Sequence, residues 1–267
     1  IFIGLIAASS WHDVLKFLSS VPFGQNDPIF GQDVSFYVFS LPVFSLGLSL
    51  IKTVILISLI TSGAIYILRG SLNLSSLLAK IDLSKLTGKP ESPLRGRSEA
   101  SLILKSAKDQ NSDPKARLHI GILLSLFLAT IAASTYLSLY NLLTSQSGPV
   151  FGAAFTDANV MVPILRVSVF VYGIASILAL FYGISGKIAP LLGAIFLTVI
   201  VGFASSIIPA VFQKLVVAPN ELVKETPFIK YNIEASRKAY GLDKVEEREI
   251  AADKPITAPD IAANNLT

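Results

Sequence analysis

The chain has 267 residues, 52% of them hydrophobic and 15% charged, with a net charge of +4; soluble domains carry roughly 25% charged residues, so an ordinary aqueous fold is excluded for most of the length. The shortfall is local, because long runs carry no charge while residues 69–117 and 214–267 read as aqueous protein. There is no cysteine, which excludes disulfides, thiolate metal sites and cysteine nucleophiles; the positive balance arises in one loop, so it is a topology signal and no ground for a nucleic-acid partner.

Residues 1–10 are an apolar run without the basic leader of a signal peptide. They read as the exit half of a truncated membrane helix at the start of a fragment. Trp11 follows at the expected interface, where its amphipathic ring is favoured. Trp11, Val14, Leu15 and Leu18 share one helical face, with His12, Asp13 and Lys16 elsewhere. That pattern predicts a short helix lying on the membrane surface. Residues 22–33 are dense in glycine, proline, asparagine and aspartate, hence turns. Phe23, Phe30, Phe36, Tyr37, Phe39 and Phe44 would hold such a loop against the headgroups. The next span ends near Leu68, and counting back about 20 residues puts its start near Ser49.

Residues 69–117 hold ten Lys/Arg and five Asp/Glu. Their leucine-rich first part, 71–86, predicts an amphipathic segment on the membrane surface, and 88–96, with Pro90 and Pro93, a flexible link. Residues 118–143 form another span. The loop 144–159 has no Lys or Arg and one acid, Asp157. Residues 160–182 and Ile188–Phe212, joined by a short turn, read as a transmembrane helical hairpin. Its second arm has 25 residues and no ionisable side chain, and would be about 38 Å long at 1.5 Å per residue, enough to cross the bilayer.

The fold class is therefore all-α: a polytopic transmembrane helical bundle over residues 1–213, with four full spans plus one truncated, followed over 214–267 by the start of an extracytoplasmic domain. In that tail, Thr226 should cap a helix from Pro227 to Tyr240, closed by Gly241. Asn220 should cap a separate, earlier helix after a turn at Pro219. Phe228 and Ile233 should rest on the bundle or the interface. The Lys/Arg asymmetry places residues 69–117 and Lys187 in the cytoplasm and the other loops and the tail outside, in the cytoplasmic (plasma) membrane.

Three segments resemble one known family. They are Asn26-Asp27-Pro28-Ile29-Phe30-Gly31-Gln32-Asp33 with Val34–Phe39 behind it, Val150–Asp157 ahead of Pro163-Ile164-Leu165-Arg166, and Val217–Leu222 followed by Glu225-Thr226-Pro227-Phe228-Ile229 and Ala239–Leu242. Together they resemble the uncharacterised protein family (UPF series, number 0182) of large prokaryotic integral membrane proteins. The resemblance implies a multi-helix membrane part followed by a large extracytoplasmic domain, and it implies no activity.

Lys52, Arg166 and His119 lie in or near apolar runs, and an intramembrane charge is a functional-site hypothesis. With a span starting near Ser49, Lys52 would lie about one turn inside the outer interface, within snorkelling reach. Interfacial anchoring is the simpler reading for all three. The sharper one is an outward-facing basic pocket for an anionic lipid or solute, formed by Lys52 and Arg166 with Asp157 as counter-charge. Small residues recur at four-residue spacing, Ser125, Ala129 and Ala133 in one span and Ala194, Thr198, Gly202 and Ser206 in another, and favour close packing within the bundle. No catalytic, cofactor or metal constellation emerges. His12 and His119 fall on opposite sides of the membrane. Asp27 and Asp33 could ligate calcium, but turn capping is the readier role for them. The expected partners are the lipid bilayer and the absent N-terminal helices and extracytoplasmic domain of the same protein; the oligomeric state is open. The function these features favour is an anchor or platform, ahead of a transporter or lipid-handling permease and of a membrane enzyme with its active site elsewhere.

Overall fold

The computed structural model describes residues 4, 8, 10–72, 113–145, 151–245 and 257–259. The truncated span read over residues 1–10, most of the basic loop and the end of the tail lie outside the described residues. Among the described residues every regular element is helical: α1 (Trp11–Leu18), α2 (Leu41–Leu68), α3 (Pro114–Asn141), α4 (Val162–Ser185), α5 (Ile188–Phe212) and α6 (Glu221–Ala239). Four helical stretches, containing α2, α3, α4 and α5, are long and apolar enough to cross a membrane. Many of their large apolar side chains point outward, Phe170 at 74% exposure and Phe196 at 64% among them. A water-soluble bundle hides such residues, whereas lipid accepts them.

Two starts differ from expectation. α2 begins at Leu41, with Pro42 in its first turn, and a π-turn, Phe36–Ser40, leads into it. Counting back one bilayer thickness from Leu68 placed the start eight residues too late, because the helix is longer than the hydrocarbon core needs. α3 begins at Pro114, where Asp113 caps the helix by accepting from the Lys115 N–H at 3.0 Å. The α4–α5 turn is as short as the sequence implies. Gly186, at φ +69°, takes the left-handed conformation, donates from its N–H to the Tyr182 carbonyl, and releases the chain into α5.

Packing is between sequence neighbours, α2 on α3, α3 on α4 and α4 on α5, with the α3–α4 contact the most extensive. The buried core centres on Leu128 of α3, Ala175 and Ala179 of α4 and Ala194 of α5. Nearer the α3 start, Gly121 and Gly183 bring the two backbones together so closely that a Cβ on Gly121 would lie 2.5 Å from the Gly183 Cα. Ser125 and Ser176 exchange hydrogen bonds there, hydroxyl to hydroxyl at 3.0 Å and Ser176 hydroxyl to Ser125 carbonyl at 2.8 Å. Small residues and interhelical hydroxyls are what hold helices together where water supplies no drive. The small stripe of α5 is used in part: Ala194 is in the core, but Gly202 meets nothing within 4 Å and Ser206 is exposed.

The tail corrects the sequence reading. The chain does not turn at Pro219. It runs on through a π-turn, Gln213–Val217, and a 3-10 turn, Ala218–Asn220, into α6. Pro227 lies inside α6, and the Thr226 hydroxyl donates to the Leu222 carbonyl one turn back instead of capping a new helix. Proline removes one backbone donor, but the helix was already under way at Glu221. Phe228 is half-buried, while Ile233 is 52% exposed. Gly241, at φ +66°, closes α6 as expected.

Candidate functional site

The three family-like segments gather into two knots. In the first, Asp27 is buried and its carboxylate accepts from the N–H groups of Ile29, Phe30 and Gln32 and from the Tyr37 hydroxyl at 2.8 Å. Asp33 accepts from Phe23, Gly24 and Ser35. A short antiparallel bridge, Asn26 with Asp33, closes the loop. The hydrogen bonds from Ser35, then those from Phe23 and Gly24, hold the Asp33 carboxyl at about 2, below its ordinary 3.8. Both aspartates thus cap turns. Phe30, Phe36 and Tyr37 pack around Tyr140 at the end of α3, which fixes the loop to the bundle.

The second knot joins residues about 70 positions apart. Glu225, in the second turn of α6, is fully buried, and one of its oxygens accepts the Phe155 N–H at 3.0 Å. Among the described residues its other oxygen, Oε1, has no hydrogen-bond partner. The neighbouring N–H, of Ala154, donates to the Asp157 carboxylate at 3.1 Å, the back-reaching bond of a helix start. Asp157 is itself buried. The Thr156 hydroxyl donates to the side-chain carbonyl of Gln213. The Phe155 ring stacks at 10° on Phe212, meets Phe228 edge-on, and lies under the Lys224 ammonium at 4.8 Å. Gly152, at φ +101°, lets the chain bend into this arrangement and donates to the Ser145 carbonyl at 2.7 Å.

The suggested basic pocket is placed as follows. Asp157 is engaged with the backbone of its own turn. Arg166 is exposed on α4. Lys52 is half-buried on α2, at helical spacing from Leu41, Ser45 and Tyr66. Among the described residues no ion pair joins the three; the one present is Lys16 with Asp13 at 3.5 Å. Lys52 is 11 residues in from Leu41, about 16 Å along the axis of α2. At the other end of the bundle, the Tyr66 hydroxyl meets His119 Nδ1 at 2.9 Å. There Arg117 donates to the Gly183 and Ile184 carbonyls that end α4.

Sequence reasoning passed over Glu225, Gln213 and Tyr140. Glu225 and residues 150–157 were both in the family-like segments, which was the available signal, but their pairing across about 70 residues leaves no mark on local pattern.

A sequence profile for the Uncharacterised protein family (UPF0182) matches residues 1–267. The UPF0182 protein of Geotalea uraniireducens (strain Rf4) is 33% identical over 266 residues, covering 97% of this chain and 26% of its own length. That of Trichlorobacter lovleyi is 32% identical and covers 100% of this chain and 27% of its own length; that of Clostridium tetani is 29% identical, with 99% and 28% covered. The chain thus spans about a quarter of the length of the curated relatives it matches. No solved structure matches.

Proposed function

The chain belongs to the Uncharacterised protein family (UPF0182), and on that premise we propose that it is a membrane anchor or platform for a large extracytoplasmic domain used in envelope assembly or binding. The observation that carries this reading is the second knot. Glu225 and Gln213 bind to Phe155 and Thr156, so the chain leaving the last span is tied to the start of the span before it. A helix that only had to cross the bilayer would need no such tie, whereas one that bears load from a domain beyond it does. The length of the relatives supports room for that domain.

A transporter or lipid-handling permease is the second reading, favoured by Lys52. Its side chain is half-buried within a span, and an ionisable group inside a membrane helix is a functional-site candidate. One experiment separates the two. In a bacterium carrying a full-length relative, the segment matching this chain is replaced by an unrelated four-span anchor of the same topology. Retention of wild-type behaviour, against the defect of the deletion strain, supports the anchor. Loss of function with the extracytoplasmic part still present and folded supports the permease.

A further inference from the structure

We propose that Glu225 and Asp157 form a binding site for a hard cation, of the calcium class, at the second knot. The geometry is specific. Two buried carboxylates accept from consecutive peptide N–H groups, Ala154 to Asp157 and Phe155 to Glu225, so they converge on one turn at the start of the helical stretch leading into α4. Glu225 has no accessible surface, and among the described residues its Oε1 has no hydrogen-bond partner.

A buried carboxyl oxygen without a partner is costly, because that oxygen has left water and gained no hydrogen bond in return. The positive end of a helix offsets part of that cost, and the Phe155 N–H serves one oxygen only. The nearest cation in sequence does not serve the other: the Lys224 ammonium lies over the Phe155 ring, and among the described residues Glu225 has no ion pair. The neighbouring polar groups are the Thr156 hydroxyl and the Gln213 carbonyl oxygen, already joined to each other. Among the described residues these candidate donors are all oxygens, which suits calcium or magnesium and disfavours zinc or copper. Two carboxylates at one site suit a divalent ion over a monovalent one. A bound ion would join the α6 carboxylate to the turn that opens α4, and so tighten the tie between consecutive spans. The site stands whether or not the chain serves as an anchor.

The test uses the whole chain in lipid nanodiscs, stripped with chelator and then dialysed. Radioactive calcium is measured by equilibrium dialysis, and thermal unfolding is followed with calcium, magnesium or sodium added. The expected result is one calcium per chain, a melting temperature raised by several degrees in calcium, and at least a tenfold loss of affinity in Glu225→Gln. Asp157→Asn should weaken binding as well, and serves as the second variant if Glu225→Gln does not fold. Failure of the wild-type chain to bind any of the three ions would overturn the proposal. So would calcium binding and a melting shift that persist unchanged in a folded Glu225→Gln.

Discussion

One methyl group at Gly121 should push α3 away from α4. An alanine Cβ there would lie 2.5 Å from the Gly183 Cα, 2.9 Å from its nitrogen and 3.2 Å from the Ala179 carbonyl oxygen. These are backbone atoms, so no side chain can swing aside. Ordinary contact begins near 3.4 Å, and the helices must part by about 1 Å or keep the strain. If they part, the Ser125–Ser176 bonds at 3.0 and 2.8 Å and the Arg117–Gly183 bond at 3.2 Å stretch together. Interhelical hydrogen bonds in membranes average about 0.6 kcal/mol, so the three contribute about 2 kcal/mol. If they do not part, overpacking costs about 1–3 kcal/mol. Alanine recovers up to about 1 kcal/mol through its better helix propensity. The net loss should be about 1–2 kcal/mol, a factor of roughly 5–30 in the folding equilibrium. Reversible unfolding in mixed micelles with rising dodecyl sulfate, read by near-ultraviolet circular dichroism, measures it, since packing and not helicity is what is lost. The control is Gly202→Ala, which meets open space and should be neutral or more stable by up to about 1 kcal/mol. Ser176→Ala should also cost less in the Gly121→Ala background than alone, because the contact is already loosened. A Gly121→Ala chain as stable as wild type, or a Gly202→Ala chain equally weakened, would refute the close-approach argument.

Cysteine placed at Ser98 should be shielded from an impermeant thiol reagent in intact cells and cysteine at Ser147 should react, as the Lys/Arg asymmetry requires; the opposite labelling reverses the orientation. Arg166→Ala should leave insertion and folding unchanged, since that side chain is exposed and has no ion pair among the described residues; a variant that folds normally but no longer binds anionic lipid would support the basic pocket. The Asp33 carboxyl, held at about 2 against 3.8, stabilises the loop of residues 22–35 fully above pH 3.8 and progressively less as pH falls toward 2. Proteolysis of that loop should therefore rise between those values in the wild type, and Asp33→Asn should be cut equally at both.

The spans were legible because membrane length and charge exclusion act on single segments. The Ile188–Phe212 helix has in the structure the bounds that its uncharged run implies. The starts of α2 and α6 were not, for two physical reasons. A helix may extend beyond the hydrocarbon, so bilayer thickness bounds it from below only, and Leu41 replaced Ser49. A Thr-Pro pair is a good helix start only where no helix is already running, and Glu221 had begun one. The second knot was illegible for a further reason. Phe155 and Glu225 meet only because α4 and α5 fold back on each other, and no period along the chain encodes which loop a buried carboxylate will reach. Asp27 and Asp33, by contrast, bond within their own loop, and turn composition was sufficient to place them.

The π-turns at Phe36–Ser40, Asp157–Met161 and Gln213–Val217 all lie at the end of the bundle where α2 and α4 begin and α5 finishes. A π-turn is an α-helix carrying one surplus residue, while the helix on either side keeps its facing. Losing that residue restores regular geometry and leaves Leu41, Ala175 and Ala194 against the neighbours they have now. Losing a residue from the middle of a span instead rotates everything beyond it by about 100°, which carries lipid-facing phenylalanines into the interior. One-residue differences in length among related sequences should therefore fall at these three places, where the packed faces on both sides can be kept.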